Sequence, residues 1–149
     1  MNITDRLAAD LKDAMRSGDQ IKRETIRSLR GAIKNSEIEK GSSLNEEETL
    51  KVLQKAAKQR RDSVSLYEEG NRQDLADKEK SELQYIESYL PQQLSPSELK
   101  TLISTAIDEV GASSMADMGK VMSNLMPKIS GKADGSQVNK IAKSMLMDL

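Results

Sequence analysis

The chain has 149 residues, of which 36% are hydrophobic and 32% are charged, and this length fits one ordinary domain or two small ones. Lysine and arginine total 23 against 24 acidic residues, and a net charge of −1 is unlike that of a dedicated nucleic-acid-binding protein. A local basic face can still bind an anion. Because cysteine and histidine are both absent, thiolate nucleophiles and the commonest general base and transition-metal ligand are excluded. We therefore expect no catalytic site, no metal and no cofactor.

The composition favours an all-α fold. The three tyrosines are the only aromatic residues, so the core must consist of Leu, Ile, Val, Met and Ala, which suit helix packing. No apolar run approaches the roughly 18 residues that span a bilayer, and the N-terminus lacks a basic segment followed by an apolar one. We expect a cytoplasmic protein with no membrane association.

Four helices are predicted in the N-terminal part, at about residues 4–17, 20–40, 46–69 and 73–89. Gly18 and Gly41 follow the first two helices, where glycine permits a left-handed stop. Asp19 is placed to cap the second helix, and Asn45 with Glu48 forms a capping box at the third. The apolar stripe of the first helix consists of Ile3, Leu7, Leu11 and Met15.

The segment from Leu90 to Pro96 is the predicted domain boundary. Pro91 and Pro96 forbid a continuous helix there, and Ser95 followed by proline is a clean helix start. Three apolar stripes follow, within residues 99–110, 118–126 and 138–149, and a loop from Pro127 to Gly135 separates the last two. The sequence thus predicts a four-helix N-terminal domain, residues 1–90, and a compact C-terminal three-helix bundle, residues 91–149.

The second predicted helix carries a line of basic residues, namely Arg23, Arg27, Arg30 and Lys34. At 100° per residue they form a stripe about 60° wide beside the buried face. Such a line can follow a phosphate backbone, which makes these residues candidates for RNA binding. The alternative is an ordinary solvated face that acidic residues of a neighbouring helix neutralise. The available carboxylates are Glu46, Glu47, Glu48, Glu68 and Glu69.

The predicted loop from Pro127 to Gly135 is the second candidate site. Gly131 and Gly135 permit a positive φ and a close backbone approach, and Lys128 and Lys132 lie alongside. Asp134 or Ser136 is then expected to cap the last helix, whose free N–H groups can hold an anion. The alternative is a plain connector in which the glycines only satisfy geometry.

Four motifs in chain order resemble the YqeY family. They are Gly70-Asn71-Arg72-Gln73-Asp74-Leu75 with Glu79 and Glu82, Tyr89-Leu90-Pro91-Gln92-Gln93-Leu94, Asp117-Met118-Gly119-Lys120-Val121-Met122, and Gly131-Lys132-Ala133-Asp134-Gly135. That family is related to the C-terminal tail of the B subunit of the tRNA-dependent amidotransferase. In that enzyme the tail helps to hold tRNA, while glutamine hydrolysis and amide transfer occur elsewhere. The resemblance implies a helical N-terminal domain and a three-helix C-terminal domain. It adds Lys120, Lys128, Lys132 and the loop glycines as RNA-contact candidates.

The leading expectation is therefore a non-catalytic accessory module that binds tRNA or another RNA. An alternative is an adaptor that docks on a protein, such as the amidotransferase or an aminoacyl-tRNA synthetase. A third is a component of a carbon–nitrogen ligase with glutamine as the amide donor. The absence of cysteine and histidine argues against activity of the chain alone, and shared ancestry does not carry chemistry with it.

Overall fold

A computed structural model describes residues 1–129 and 131–149, and this part of the chain is helical without any strand. The helices are α1 (Ile3–Ser17), α2 (Gln20–Lys40), α3 (Glu46–Glu69), α4 (Gln73–Glu87), α5 (Pro96–Val110), a short 3-10 helix (Met115–Asp117), α6 (Met118–Ile129) and α7 (Gly135–Met147). The predicted all-α class is confirmed. The chain divides into two compact units, Met1–Pro91 (unit 1) and Gln92–Leu149 (unit 2). Among the described residues, no helix has both the length and the apolar character needed to cross a membrane.

Helix starts follow the local capping signals of the sequence. The side chain of Asp19 accepts the backbone N–H of Lys22 and so caps α2. Asn45 and Glu48 form the predicted capping box at α3, with each side chain bonded to the other residue's backbone N–H. Ser95 caps α5 with proline in the first turn. These bonds satisfy N–H groups that a helix leaves without an internal acceptor.

The core of unit 1 is aliphatic and lies between α1, α2, α3 and α4. Its fully buried side chains include Leu7, Ile26, Leu29, Leu53 and Ile86. The predicted stripe of α1 is wrong at one position, because Met15 is 55% exposed and Ala14 is buried instead. At 100° per residue, residue 14 lies about 20° from Ile3 around the helix, whereas residue 15 lies about 120° away.

The core of unit 2 is built from α5, α6 and α7 and is also aliphatic, with Leu99, Ile103, Leu125 and Val138 buried. The predicted loop boundary at Pro127 is wrong, because α6 continues through this proline to Ile129. Pro127 lacks one helix hydrogen bond and its ring crowds the carbonyl of the preceding turn, which together cost about 3 kcal/mol. The side chain of Ile129 is 1% exposed, and its burial, worth about 1.5–3 kcal/mol, offsets that loss.

Candidate nucleic-acid interface

The start of α2 is fixed by Asp19, which bonds both to its own helix and to α4. One carboxylate oxygen accepts the backbone N–H of Lys22 at 3.0 Å, and the other accepts the hydroxyl of Tyr85 at 2.8 Å. The backbone donor of Lys22, followed by the Tyr85 hydroxyl, holds the pKa of Asp19 below its ordinary value. Asp19 is therefore ionised at neutral pH, which suits its place at the positive end of the helix dipole.

α1 is joined to the segment that follows α4 by polar contacts. The hydroxyl of Tyr89 donates a hydrogen bond to Asp10 on α1. The guanidinium carbon of Arg6 lies 5.0 Å from the centroid of the Tyr89 ring, a cation–π distance. The Nη2 of Arg6 also donates to the carbonyl of Ser88 at 3.3 Å. These bonds join the N-terminal half of α1 to the end of α4.

The basic line predicted on the second helix lies on α2, and we call Arg23, Arg27, Arg30 and Lys34 the α2 basic surface. Three of these side chains are exposed, while Arg23 is half-buried and its Nε has no hydrogen-bond partner. Within residues 1–129 and 131–149, none of the four forms an ion pair. The positive charge of Arg27, Arg30 and Lys34 is therefore directed to solvent.

Four of the five acidic residues expected to neutralise this surface make other contacts. Glu47 lies 3.9 Å from Lys51, Glu48 lies 2.7 Å from Lys40, and Glu68 lies 2.8 Å from Lys80. Glu46 accepts the backbone N–H of Ile3 at 3.2 Å. The Lys40 bond is the main cause of the lowered pKa of Glu48. The described contacts thus favour the first of the two interpretations, a basic surface open to an external anion.

A cleft of about 380 Å³ lies between α1 and α2 and includes part of the α2 basic surface. It is lined by Thr4, Leu7, Arg30, Gly31, Ile33, Lys34 and Glu37. Leu7 and Ile33 form its apolar floor but are almost fully buried. Arg30 and Lys34 are exposed and place positive charge at the rim, and the carboxylate of Glu37 lies in the same lining. Sequence reasoning missed Thr4 and Gly31. The only signal for Gly31 was a glycine inside a segment that otherwise favours helix.

The C-terminal lysines are paired to different degrees. The Nζ of Lys128 lies 3.0 Å from a carboxylate oxygen of Glu109 and 3.3 Å from the amide oxygen of Asn124. The bond from Lys128 is the main cause of a lowered pKa of Glu109, so this carboxylate is ionised at neutral pH. Lys120 lies 3.9 Å from Asp117, while Lys132 is exposed and has no ion pair with a described residue.

The backbone around Gly131 and Lys132 holds the start of unit 2. The Gly131 carbonyl accepts the side-chain amide of Gln93 at 2.9 Å, and the Lys132 carbonyl accepts the N–H of Leu94 at 2.8 Å. Gly131 has a φ of 79°, as predicted, whereas Gly135 has no positive φ and begins α7 after the cap Asp134. These bonds favour the connector interpretation of this segment. The predicted RNA contacts of its lysines and glycines stay predictions.

A second charge cluster lies between α2, α3 and α4 of unit 1. The Nε of Arg60 lies 3.2 Å from Glu82 and 3.5 Å from Glu79, and its Nη2 donates to the hydroxyl of Ser28 at 3.4 Å. Burial, followed by the charge of Glu82, raises the pKa of Glu79. One cation thus serves two carboxylates in a half-buried position, a geometry that joins three helices. In the described part of the chain, no three acidic residues are grouped so as to hold a metal ion.

Comparison with known proteins identifies relatives along most of the chain. The model of the Yqey-like protein family matches residues 4–146. A relative from Vanderwaltozyma polyspora, altered inheritance of mitochondria protein 41, mitochondrial, is 39% identical over 107 residues, which are 70% of this chain and 58% of the relative. The protein of the same name from Lachancea thermotolerans is 36% identical over 70% of this chain and 57% of its own length. The one from Saccharomyces cerevisiae (strain YJM789) is 40% identical over 62% of this chain and 51% of its own length.

Two facts follow from these relatives. The chain spans little more than half the length of the curated proteins it matches. The expected cytoplasmic location is contradicted, because these relatives are named as mitochondrial. That expectation depended on the lack of a membrane-spanning run and of a secretory-type N-terminal pattern. Neither criterion distinguishes the cytoplasm from the interior of a mitochondrion. The resemblance read from four sequence motifs is confirmed by the family match. The chain therefore belongs to the Yqey-like protein family.

Proposed function

We propose that this protein is a non-catalytic accessory module that binds RNA through the α2 basic surface. The observation that carries the proposal is four cations in line on one helix without an acidic partner among the described residues. Neighbouring like charges on a helix repel each other by a few tenths of a kcal/mol per pair. A row of phosphates removes that repulsion and releases counterions on binding. The resemblance to the amidotransferase tail suggests tRNA as the first RNA to test.

The C-terminal lysines are assigned a secondary role in this proposal. Lys128 must give up its bonds to Glu109 and Asn124 before it contacts a phosphate. Exposed pairs of this kind are worth about 0–1 kcal/mol, so the exchange is possible but adds little affinity. Lys132 has no such pair and is the strongest C-terminal candidate.

A salt titration of tRNA binding tests the proposal. Four phosphate contacts predict a slope of log K against log salt between about −2.8 and about −3.6. Replacing Arg27, Arg30 and Lys34 by alanine leaves one contact and a slope between about −0.7 and about −0.9. Arg23 stays unchanged in this variant because its stem is half-buried and packs in unit 1.

Two control variants remove the same number of positive charges elsewhere. One replaces the α3 lysines, Lys51, Lys55 and Lys58, and the other replaces Lys120, Lys128 and Lys132. We expect both controls to bind tRNA more tightly than the α2 variant. All three variants have the same net charge, so a difference in affinity reports the position of the removed side chains. Equal loss in all three variants, or tRNA binding that is insensitive to salt, would contradict the proposal.

A protein adaptor is the second candidate, favoured by two exposed apolar side chains of unit 1. Ile38 on α2 is 69% exposed and Leu66 on α3 is 67% exposed. One stoichiometric protein recovered with the chain after nuclease treatment would favour this candidate over RNA binding. The relatives' name describes an outcome for mitochondria and no molecular ligand, so it favours neither candidate. Glutaminase activity of the purified chain would overturn the non-catalytic assignment.

A further inference from the structure

Two carboxylates on α4 share one cation from α3. Glu79 and Glu82 are three residues apart, so their side chains lie on the same face of the helix. The Nε of Arg60 lies 3.5 Å from Glu79 and 3.2 Å from Glu82. The side chains of Arg60, Glu79 and Glu82 are 19%, 20% and 14% exposed, so solvent screens their charges less than it screens charges at the surface. With both carboxylates ionised, the cluster has one negative charge in excess.

This pair of carboxylates needs a hydrogen-bond donor. The side chains of Glu79 and Glu82 are within hydrogen-bonding reach of each other, but an ionised carboxylate can only accept. The Oε2 of Glu79 is buried and has no hydrogen-bond partner, which is rare for a buried polar atom. The Nε of Arg60 also forms no hydrogen bond, so it contributes charge to the cluster and no donor to Glu79. A proton on one of the two carboxylates supplies the missing donor.

The charged groups that face Glu79 act in opposite directions. Burial, followed by the charge of Glu82, raises the pKa of Glu79. The positive charges of Arg60 on α3 and Lys78 on α4 oppose this shift and are too weak to reverse it. α2 contributes the Ser28 hydroxyl, which accepts a hydrogen bond from the Nη2 of Arg60 at 3.4 Å. The balance of these groups favours a bound proton.

We infer that the carboxylates of Glu79 and Glu82 bind one shared proton in the folded chain, and that this proton makes unit 1 more stable at mildly acidic than at neutral pH. The protonated carboxyl donates to the ionised one, and Arg60 balances the remaining negative charge. When the proton leaves, the two carboxylates repel each other beside a single cation. This inference is independent of the RNA-binding function proposed above.

The composition of the chain makes this proton measurable. An unfolded glutamate loses its proton near the ordinary pKa of 4.5, whereas the folded pair keeps its proton to a higher pH. The folded state therefore binds more protons than the unfolded state in this range, and stability falls as the pH rises through the raised pKa. The chain has no histidine and no cysteine, so no side chain has an ordinary pKa between about pH 5.5 and about pH 7. A loss of stability within this range comes from a shifted group.

Urea unfolding at about pH 5.5 and about pH 7, followed by tyrosine fluorescence, tests the inference. We expect the midpoint of the wild-type chain to be lower at neutral pH. Glu79→Gln should have the same midpoint at both pH values, because its amide donates to Glu82 and does not titrate. Glu87→Gln is the matched control, since Glu87 also lies on α4 and pairs with Arg61 at 3.3 Å. It should keep the wild-type decline.

Carbon-13 NMR of the glutamate carboxyl carbons detects the same proton without a substitution. We expect the Glu79–Glu82 pair to titrate at a higher pH than the exposed glutamates. A wild-type midpoint equal at both pH values, a decline that Glu79→Gln retains or Glu87→Gln loses, or carboxyl carbons that all titrate together would overturn the inference. A decline that is absent only in Glu79→Gln, together with a late titration of the pair, supports it.

Discussion

Replacing Tyr89 by phenylalanine is a direct test of the contacts that join α1 to the segment after α4. The substitution removes the hydroxyl that donates to Asp10 and keeps the ring above which Arg6 lies. A hydrogen bond to a charged acceptor contributes about 1.5–3 kcal/mol to stability. Asp10 is half-exposed, and its carboxylate regains water in the variant. We therefore expect the lower end of that range, a loss of about 1.5 kcal/mol in the free energy of unfolding of unit 1.

The same hydroxyl gives unit 1 an alkaline pH dependence with a definite sign. Burial, followed by the bond to Asp10, raises the pKa of Tyr89 well above the ordinary value of 10.0. In the unfolded chain Tyr89 loses its proton near pH 10, whereas in the folded chain it keeps it. This contribution to stability is present below pH 10 and falls as the pH rises above it. Tyr89→Phe should have a shallower alkaline decline. Tyr85, whose pKa is raised mainly by its bond to Asp19, and Lys80, whose pKa is raised mainly by its bond to Glu68, contribute to the remainder.

Urea unfolding followed by tyrosine fluorescence measures this effect in the relevant part of the chain. The protein has no tryptophan, and its three tyrosines all precede residue 91, so the signal reports on unit 1 alone. Circular dichroism, which reports on the helices of both units, replaces fluorescence at alkaline pH, where ionised tyrosine emits weakly. An unchanged midpoint at neutral pH, together with an unchanged alkaline decline, would refute the assignment of the Tyr89 contact.

Three further substitutions have defined outcomes. Glu79→Gln should raise the urea midpoint of unit 1 at neutral pH. Burial, followed by the charge of Glu82, raises the pKa of Glu79, which means that the folded state disfavours the ionised form that the substitution removes. An equal or lower midpoint would contradict this. Gly131→Ala should destabilise unit 2 by about 1–2 kcal/mol in thermal unfolding, because Gly131 has a φ of 79° and a side chain is unfavourable in this left-handed conformation. An unchanged stability would contradict this. Lys128→Ala should change stability by less than about 1 kcal/mol, because its pair with Glu109 is exposed, and calorimetry showing a larger loss would refute this.

The parts of the fold that depend on neighbouring residues in the chain were predictable from the sequence. Asp19, Asn45 and Ser95 each cap the helix that their position indicated. Capping is a bond across three residues, so a local pattern is sufficient to reveal it. The boundary at Pro127 was not predictable, because the helix continues for the sake of a distant core contact made by Ile129.

The properties of the candidate site depended on tertiary contacts. Sequence alone left open whether the α2 basic surface was neutralised, since the answer depends on which cations the acidic residues of α3 meet. Glu48 lies nearest to Lys40 and Glu68 to Lys80, and neither pairing follows from spacing along one helix. The cleft at Gly31 was missed for the same reason, because Leu7, which forms part of its floor, belongs to another helix.

Mapping the bound RNA by photo-crosslinking to tRNA, followed by mass spectrometry, is the most direct test of the central claim. The α2 basic surface and its cleft predict crosslinked peptides within residues 4–7 and 23–37. Loss of those crosslinks in the variant lacking the charges of Arg27, Arg30 and Lys34 would confirm that they report a specific contact. Crosslinks confined to residues 128–135, or unchanged in that variant, would contradict the claim that α2 holds the RNA.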